Sequence, residues 1–232
     1  MYPIAYSARY EGTDRNRLTT CFRLVLLIPL AVVFFLYTMV MYVMTAIAWF
    51  AMVVTGQYHA GFYPFNAGYI NFAARLNGYA SLLTDQYPPF SVRSDLDYPI
   101  RVGVPPAKAE YSRLKAFFRI VLLIPVVVIS YLMGAILTVC SILAWFAIVF
   151  SGELPEALYR PIRAASAWHV KALSYAMLIT EEFPPIWVEE EEEAPRFGEV
   201  GAALPADPYA ARTAPDPYAT PGWDDPTPPA AG

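Results

Sequence analysis

Chemically active side chains are scarce in this sequence. Two cysteines and two histidines occur among 232 residues. Cys21 and Cys140 argue for no disulfide, and Cys140 lies in an apolar run, where a small hydrophobic role is commonest. His59 and His169 lack metal-ligand spacing and no His-Glu-x-x-His pattern occurs, so no metal centre is expected. There is no glycine-rich phosphate loop and no nucleophile elbow. The basic residues form no stripe of the kind that binds nucleic acid. Charge itself is short: 16% of residues carry one, against roughly 25% in ordinary soluble domains. From Leu24 to Gly56 and from Ile120 to Gly152 there is none, which removes the usual carriers of a proton or ion path. No catalytic residue and no cofactor is expected.

What the chain has instead is apolar length. It is 57% hydrophobic, and each uncharged run exceeds the roughly 18–20 residues that mark a bilayer-crossing helix. The first run is also about twice the usual core of a signal peptide, and a near-copy of it sits mid-chain. RLTTCFRLVLLIP at Arg17–Pro29 returns as RLKAFFRIVLLIP at Arg113–Pro125. A shift of 96 positions extends the match without a gap. Tyr2-Pro3-Ile4 falls on Tyr98-Pro99-Ile100, Trp49-Phe50-Ala51 on Trp145-Phe146-Ala147, and Pro88-Pro89 on Pro184-Pro185. Such self-similarity marks a tandem duplication.

The expected organisation is two membrane repeats, residues 1–94 and 95–188, and a tail, 189–232. Each repeat opens with period-two alternation (Ile4, Tyr6, Ala8, Tyr10; Ile100, Val102, Val104), which predicts a short strand outside the membrane. A basic helical lead-in and the apolar run follow, 24–56 or 120–152, closed by Gly56 or Gly152 as helix stops. An apolar stripe at alternating three- and four-residue spacing then predicts an amphipathic helix over about 62–85 and about 158–181. Pro161 places the start of the second of these helices later. Each repeat ends on a Pro-Pro step and another extended piece, Phe90–Arg93 or Ile186–Val188, and the four extended pieces are candidates for one small sheet. The tail is rich in Pro, Ala and Asp and lacks hydrophobic periodicity, so disorder is expected. Its ten acids against two bases put it at −8, leaving Met1–Val188 at +4 of the chain's −4. The fold class is thus an all-α integral membrane protein of two tandem repeats.

Each apolar run admits two readings, one long helix or a short helical hairpin. Basic residues flank both runs on all sides, and under the positive-inside rule all these flanks prefer the cytoplasmic face. That favours hairpins, with the N-terminus and the acidic tail cytoplasmic. Gly134 would ease a turn in the second run, whereas the first has Thr38 there.

Arg23 and Arg119, at the mouths of the runs, and Trp49 and Trp145, near their far ends, read as membrane-interface anchors. Asp85, Glu181 and Glu182, before the Pro-Pro steps, are weak candidates for a polar site. Arg-Leu, Phe-Arg, Leu-Leu-Ile-Pro, Ala-Trp-Phe-Ala, a Thr/Ser-Gly and Tyr87-Pro88-Pro89-Phe90 together resemble the bacterial membrane-protein family catalogued as domain of unknown function 4389. Both repeats carry the pattern; the second ends in Phe183-Pro184-Pro185-Ile186 instead. The resemblance implies a protein of the bacterial cell membrane and supplies no activity. The expected function is a non-enzymatic structural, membrane-shaping or scaffolding component. Its partners would be membrane lipids, with a possible protein partner for the acidic tail, and not nucleic acid. The alternatives are a small-solute transport or channel component, with Tyr37, Thr38, Tyr42 and Thr45 as polar candidates, and a lipid-modifying enzyme using Asp85.

Overall fold

Alternation at the start of each repeat does become strand. In the computed structural model, which describes residues 2–59, 61–91, 98–108 and 110–185, β1 (Ala5–Ala8) pairs antiparallel with β2 (Ile100–Gly103), Tyr6 opposite Val102. Tyr6, Ile100 and Val102 are buried, as a one-faced ribbon requires. The pieces expected at Phe90–Arg93 (beyond residue 91) and Ile186–Val188, and the tail from 189, lie outside the described residues.

Neither apolar run is a hairpin. The first forms α1 (Arg17–Cys21), a break at Phe22, and α2 (Arg23–Thr55); the second is one helix, α4 (Arg113–Ser151). The physical reason is backbone accounting: a turn inside an apolar stretch strands N–H and C=O groups, whereas an unbroken helix satisfies them internally. The mid-run residues comply. Thr38 donates back to the Phe34 carbonyl at 2.7 Å, and Gly134 stays helical. Both helices stop at a left-handed glycine, Gly56 (φ 75°) and Gly152 (φ 79°), whose N–H closes on Met52 or Ile148. The Asn16 side chain caps α1 and that of Ser112 caps α4, whereas α2 starts after Phe22 without a side-chain cap.

The amphipathic helices are shorter than the stripe predicts. α3 covers Tyr63–Ala80 and α5 covers Glu156–Ala176. Each ends where a leucine takes a left-handed conformation, Leu82 (φ 68°) and Leu178 (φ 64°). Leu83 N–H then bonds the Gly78 carbonyl, and Ile179 N–H that of Ser174, so the last stripe residues belong to the cap. Burial of both leucines offsets the steric cost of that conformation. Contrary to expectation, Pro161 does not delay α5, which starts at Glu156. The bond it forgoes is to the carbonyl of Ala157, an exposed residue where water replaces a partner cheaply.

These elements stack in layers. α2 and α4 run in opposite directions: the Trp49 indole, near the end of α2, reaches Ala116 at the start of α4, and Trp145, near the end of α4, reaches Thr20. α3 folds back along α2, with Thr38 bonded to Tyr69 and Thr45 to Asn66. α5 folds back along α4, with Trp168 bonded to Ser130. The ribbon covers the other side of α3 and α5, and it does so crosswise. β1 of the first copy lies along α5 of the second, with Tyr2 bonded to the Lys171 carbonyl and Tyr159 to that of Ala8. β2 of the second copy lies along α3 of the first, Ile100 against Gly78 and Tyr63 bonded to the Pro105 carbonyl. α3 and α5 are therefore buried on two faces, while α2 and α4 bury one stripe and leave the rest of their apolar surface exposed.

Candidate functional site

Two equivalent junctions stand at opposite ends of the layered body, each built around one arginine of a long helix. Arg23 and Arg119 are 3% exposed. Expected as anchors reaching outward, they point inward at the C-terminal caps of α3 and α5. Arg23 donates from Nη1 to the carbonyls of Tyr79 (2.5 Å) and Thr84 (3.1 Å). Arg119 donates to the related carbonyls of Tyr175 (2.9 Å) and Thr180 (2.8 Å). Each guanidinium also lies over the ring of the same tyrosine, at 4.4 and 3.8 Å from its centroid. A helix C-terminus exposes orphan carbonyls and partial negative charge, and a planar fork of donors matches them.

The carboxylates complete the junctions. Asp85 accepts the backbone N–H of Asn16 at 2.9 Å, and Glu181 that of Ser112 at 2.6 Å. In both copies the acid after the cap thus holds the residue that caps the helical lead-in, α1 in the first copy and the first turn of α4 in the second. Beyond this the copies part. Asp85 pairs with Arg23 (2.5 Å) and Arg15 (3.2 Å), whereas Glu181 lies 3.5 Å from Lys108. Glu182 is exposed; its carbonyl accepts from Tyr2.

Arg15 was not singled out by its sequence context, because it reads as one more flanking base and its counterpart in the second copy is Tyr111. It is nonetheless buried, bonded to the carbonyls of Leu82 and Leu83 and paired with Glu11. Burial lowers its pKa, with Asp85 and then Glu11 opposing the shift. The first junction therefore holds two arginines and two acids in one network.

Trp49 and Trp145 are half-buried and spend their indole N–H groups across the copies, on Ala116 (2.8 Å) and Thr20 (3.1 Å). Three of the four polar candidates in the first run pack on α3: Thr38 and Thr45 through hydrogen bonds, Tyr37 edge-on to Phe65 and Phe72. Tyr42 is exposed, so the four form no common path. Tyr58 bonds Asn66 and the Met177 carbonyl, and burial pushes its phenol up to about 12. His169 is bonded to the Ala165 carbonyl. Among the described residues no three His, Cys, Asp or Glu side chains cluster as metal ligands.

Beside Arg23 lies a cleft of about 500 Å³ between the start of α2, the end of α3 and the second half of α4. Its walls are mainly apolar, with Thr20, Arg23 and Ser141 among the lining residues.

A family model described as Domain of unknown function (DUF4389) matches residues 17–91 and again 113–188. No curated protein and no solved structure matches the chain.

Proposed function

The chain belongs to the DUF4389 family, in two tandem copies, and from that premise we propose that it is a non-enzymatic structural protein embedded in one leaflet of the bacterial cell membrane. The observation that carries this reading is the unpartnered outer face of α2 and α4. Leu24, Val32, Phe35, Val43 and Phe50 on one helix, and Leu122, Val128, Leu132, Val139 and Phe146 on the other, are exposed. Both helices are long and apolar enough to cross a membrane, and exposed apolar surface on this scale calls for lipid.

Three arguments favour helices lying along the membrane plane over helices crossing it. At 33 and 39 residues the helices are about 50 and 58 Å long at 1.5 Å per residue, far beyond a hydrocarbon core of about 30 Å. The two-stranded ribbon runs beside α3 and α5, so an upright body would put its open edges in hydrocarbon, where unpaired backbone is not tolerated. The basic lead-ins Arg17, Arg23 and Arg113, Arg119 stand at opposite ends of the helix pair; lying flat keeps both on the cytoplasmic side, as the positive-inside rule asks. A body seated in one leaflet acts as a wedge, which supports a membrane-shaping role. On this reading the acidic tail is cytoplasmic and is the part that would hold a protein partner.

The test is cysteine labelling in a background with Cys21 and Cys140 replaced by Ser. Gln57→Cys and Glu153→Cys mark the far ends of α2 and α4. Both should resist a membrane-impermeant reagent in intact cells and react in inverted vesicles. Labelling of either in intact cells would mean a crossing. Reconstitution should also reduce vesicle diameter, and unchanged vesicles would remove the shaping role.

A further inference from the structure

We propose that the cleft beside Arg23 binds one amphiphile: a long alkyl chain ending in an oxygen acceptor, a carboxylate, ester or phosphate. Three residues that line it each carry a buried polar atom with no partner among the described residues: Thr20 Oγ1, Arg23 Nε and Ser141 Oγ. Thr20 is fully buried. An orphaned buried polar group costs about 1–3 kcal/mol, so three such groups on residues around one cavity would each gain a partner from a ligand oxygen once their side chains turn towards it. The chemistry of that atom is set by what is left to donate. Arg23 commits Nη1 to Tyr79 and Thr84 and one hydrogen of Nη2 to Asp85; of the orphaned groups that leaves its Nε–H and the two hydroxyls. All three can donate, so the matching group is an acceptor oxygen.

The rest of the cleft selects an alkyl chain. Leu24, Leu27, Leu137 and Ile142 line it. Leu24 and Ile142 are exposed, so the cleft opens on the same outer face that carries the apolar surface of α2 and α4. Its volume of about 500 Å³ is within the roughly 300–1,000 Å³ of small-molecule sites.

The duplication supplies an internal control. At the other junction the positions related to Thr20, Asn77 and Ser81 are Ala116, Leu173 and Met177. Ser141 is matched by Thr45, whose hydroxyl accepts from Asn66. Arg119 Nε is likewise without a partner, so the arginine does not distinguish the two places. The hydroxyls do: the polar lining belongs to the first junction alone.

This inference rests on the membrane reading only for the source of the ligand. The test uses the full chain, stripped of lipid and held in amphipol, titrated with dibrominated stearate and separately with phosphatidylglycerol carrying the same brominated chain. Bromine quenches nearby indoles; Trp145 lines the cleft, and Trp49 holds the related place at the other junction. Saturable one-to-one quenching is expected, lost in Trp145→Phe and kept in Trp49→Phe. Thr20→Val combined with Ser141→Ala should weaken it at least about tenfold. Ala80→Phe, at an exposed position on the rim, should block it without touching the buried groups. Saturation by stearate alone points to a free fatty acid, and saturation by the phospholipid to a membrane lipid; either supports the site. Quenching that rises linearly, equal in both tryptophan variants, or that ignores the cleft variants, overturns it. A chain that ignores vesicles yet saturates with stearate would leave the cleft standing and sink the membrane reading.

Discussion

Trp49 donates its indole N–H to the carbonyl of Ala116 at 2.8 Å, across two copies of one repeat. Trp145 returns the bond to Thr20 at 3.1 Å, and Thr20 and Ala116 are related by the same 96-residue shift as the two tryptophans. Each copy thus clasps the helical lead-in to the other's apolar run while lending its strand to the other's short helix.

Residues 1–94 made alone should therefore not fold, because β1 lacks α5 and α3 lacks β2. Co-expressed with residues 95–188, the fragment should assemble into a heterodimer. Co-purification and a single cooperative unfolding transition are the measurements.

Arg23→Gln should destabilise by about 3–5 kcal/mol, since it leaves Asp85 and two buried carbonyls short of a donor. Arg119→Gln, which breaks no ion pair at Glu181, should cost about 1–3 kcal/mol. Arg23→Lys should recover only part, because one ammonium cannot serve three acceptors as a fork does. Denaturant titration in micelles would order the three.

Asp85→Ala should cost about 3–5 kcal/mol, because it removes the counter-charge of two buried arginines. Glu181→Ala should cost about 1 kcal/mol, chiefly the hold on the Ser112 N–H. The same denaturant titration reads the gap between equivalent positions.

A Cβ on Gly78 would collide with Ile100 Cδ1. Both sides are buried, so Gly78→Ala should cost about 1–3 kcal/mol. Ile100→Ala in the same chain should return part of that loss, with a coupling of at least about 0.5 kcal/mol in a double-mutant cycle.

Buried tyrosines set an alkaline limit. The phenol of Tyr58 is raised to about 12 by burial, against about 10 in an unfolded chain. The folded state therefore favours the neutral phenol. Its contribution to stability is complete below about pH 10 and is lost as pH rises towards 12. The unfolding midpoint should fall across that window, and the share of tyrosinate absorbance due to buried phenols should appear only as the chain unfolds. Tyr58→Phe should flatten the slope.

Much of the local structure is legible in the residues. The duplication, the strands at Tyr6 and Val102 and the glycine stops Gly56 and Gly152 each follow from spacing or from one residue's conformational preference. The choice between hairpin and unbroken helix was not, since the charges on the flanks argue for both ends on one side and a flat helix satisfies that as well as a hairpin. The direction of Arg23 and Arg119 was not legible either: a basic residue before an apolar run looks the same whether it faces a headgroup or a helix end. Arg15 and the hydroxyls of Thr20 and Ser141 carry no signal in spacing, and only their burial marks them.

By itself the sequence determined two copies of a module with a strand, a long apolar run and a shorter amphipathic helix, because periodicity and glycine stops act within a few residues. Tertiary structure alone decided that the copies interlock, that the arginines close on the caps of α3 and α5, and that the first junction borders a mainly apolar cleft. Those outcomes depend on which distant backbone groups are left without partners once the layers meet, and that is settled only when the chain has closed on itself.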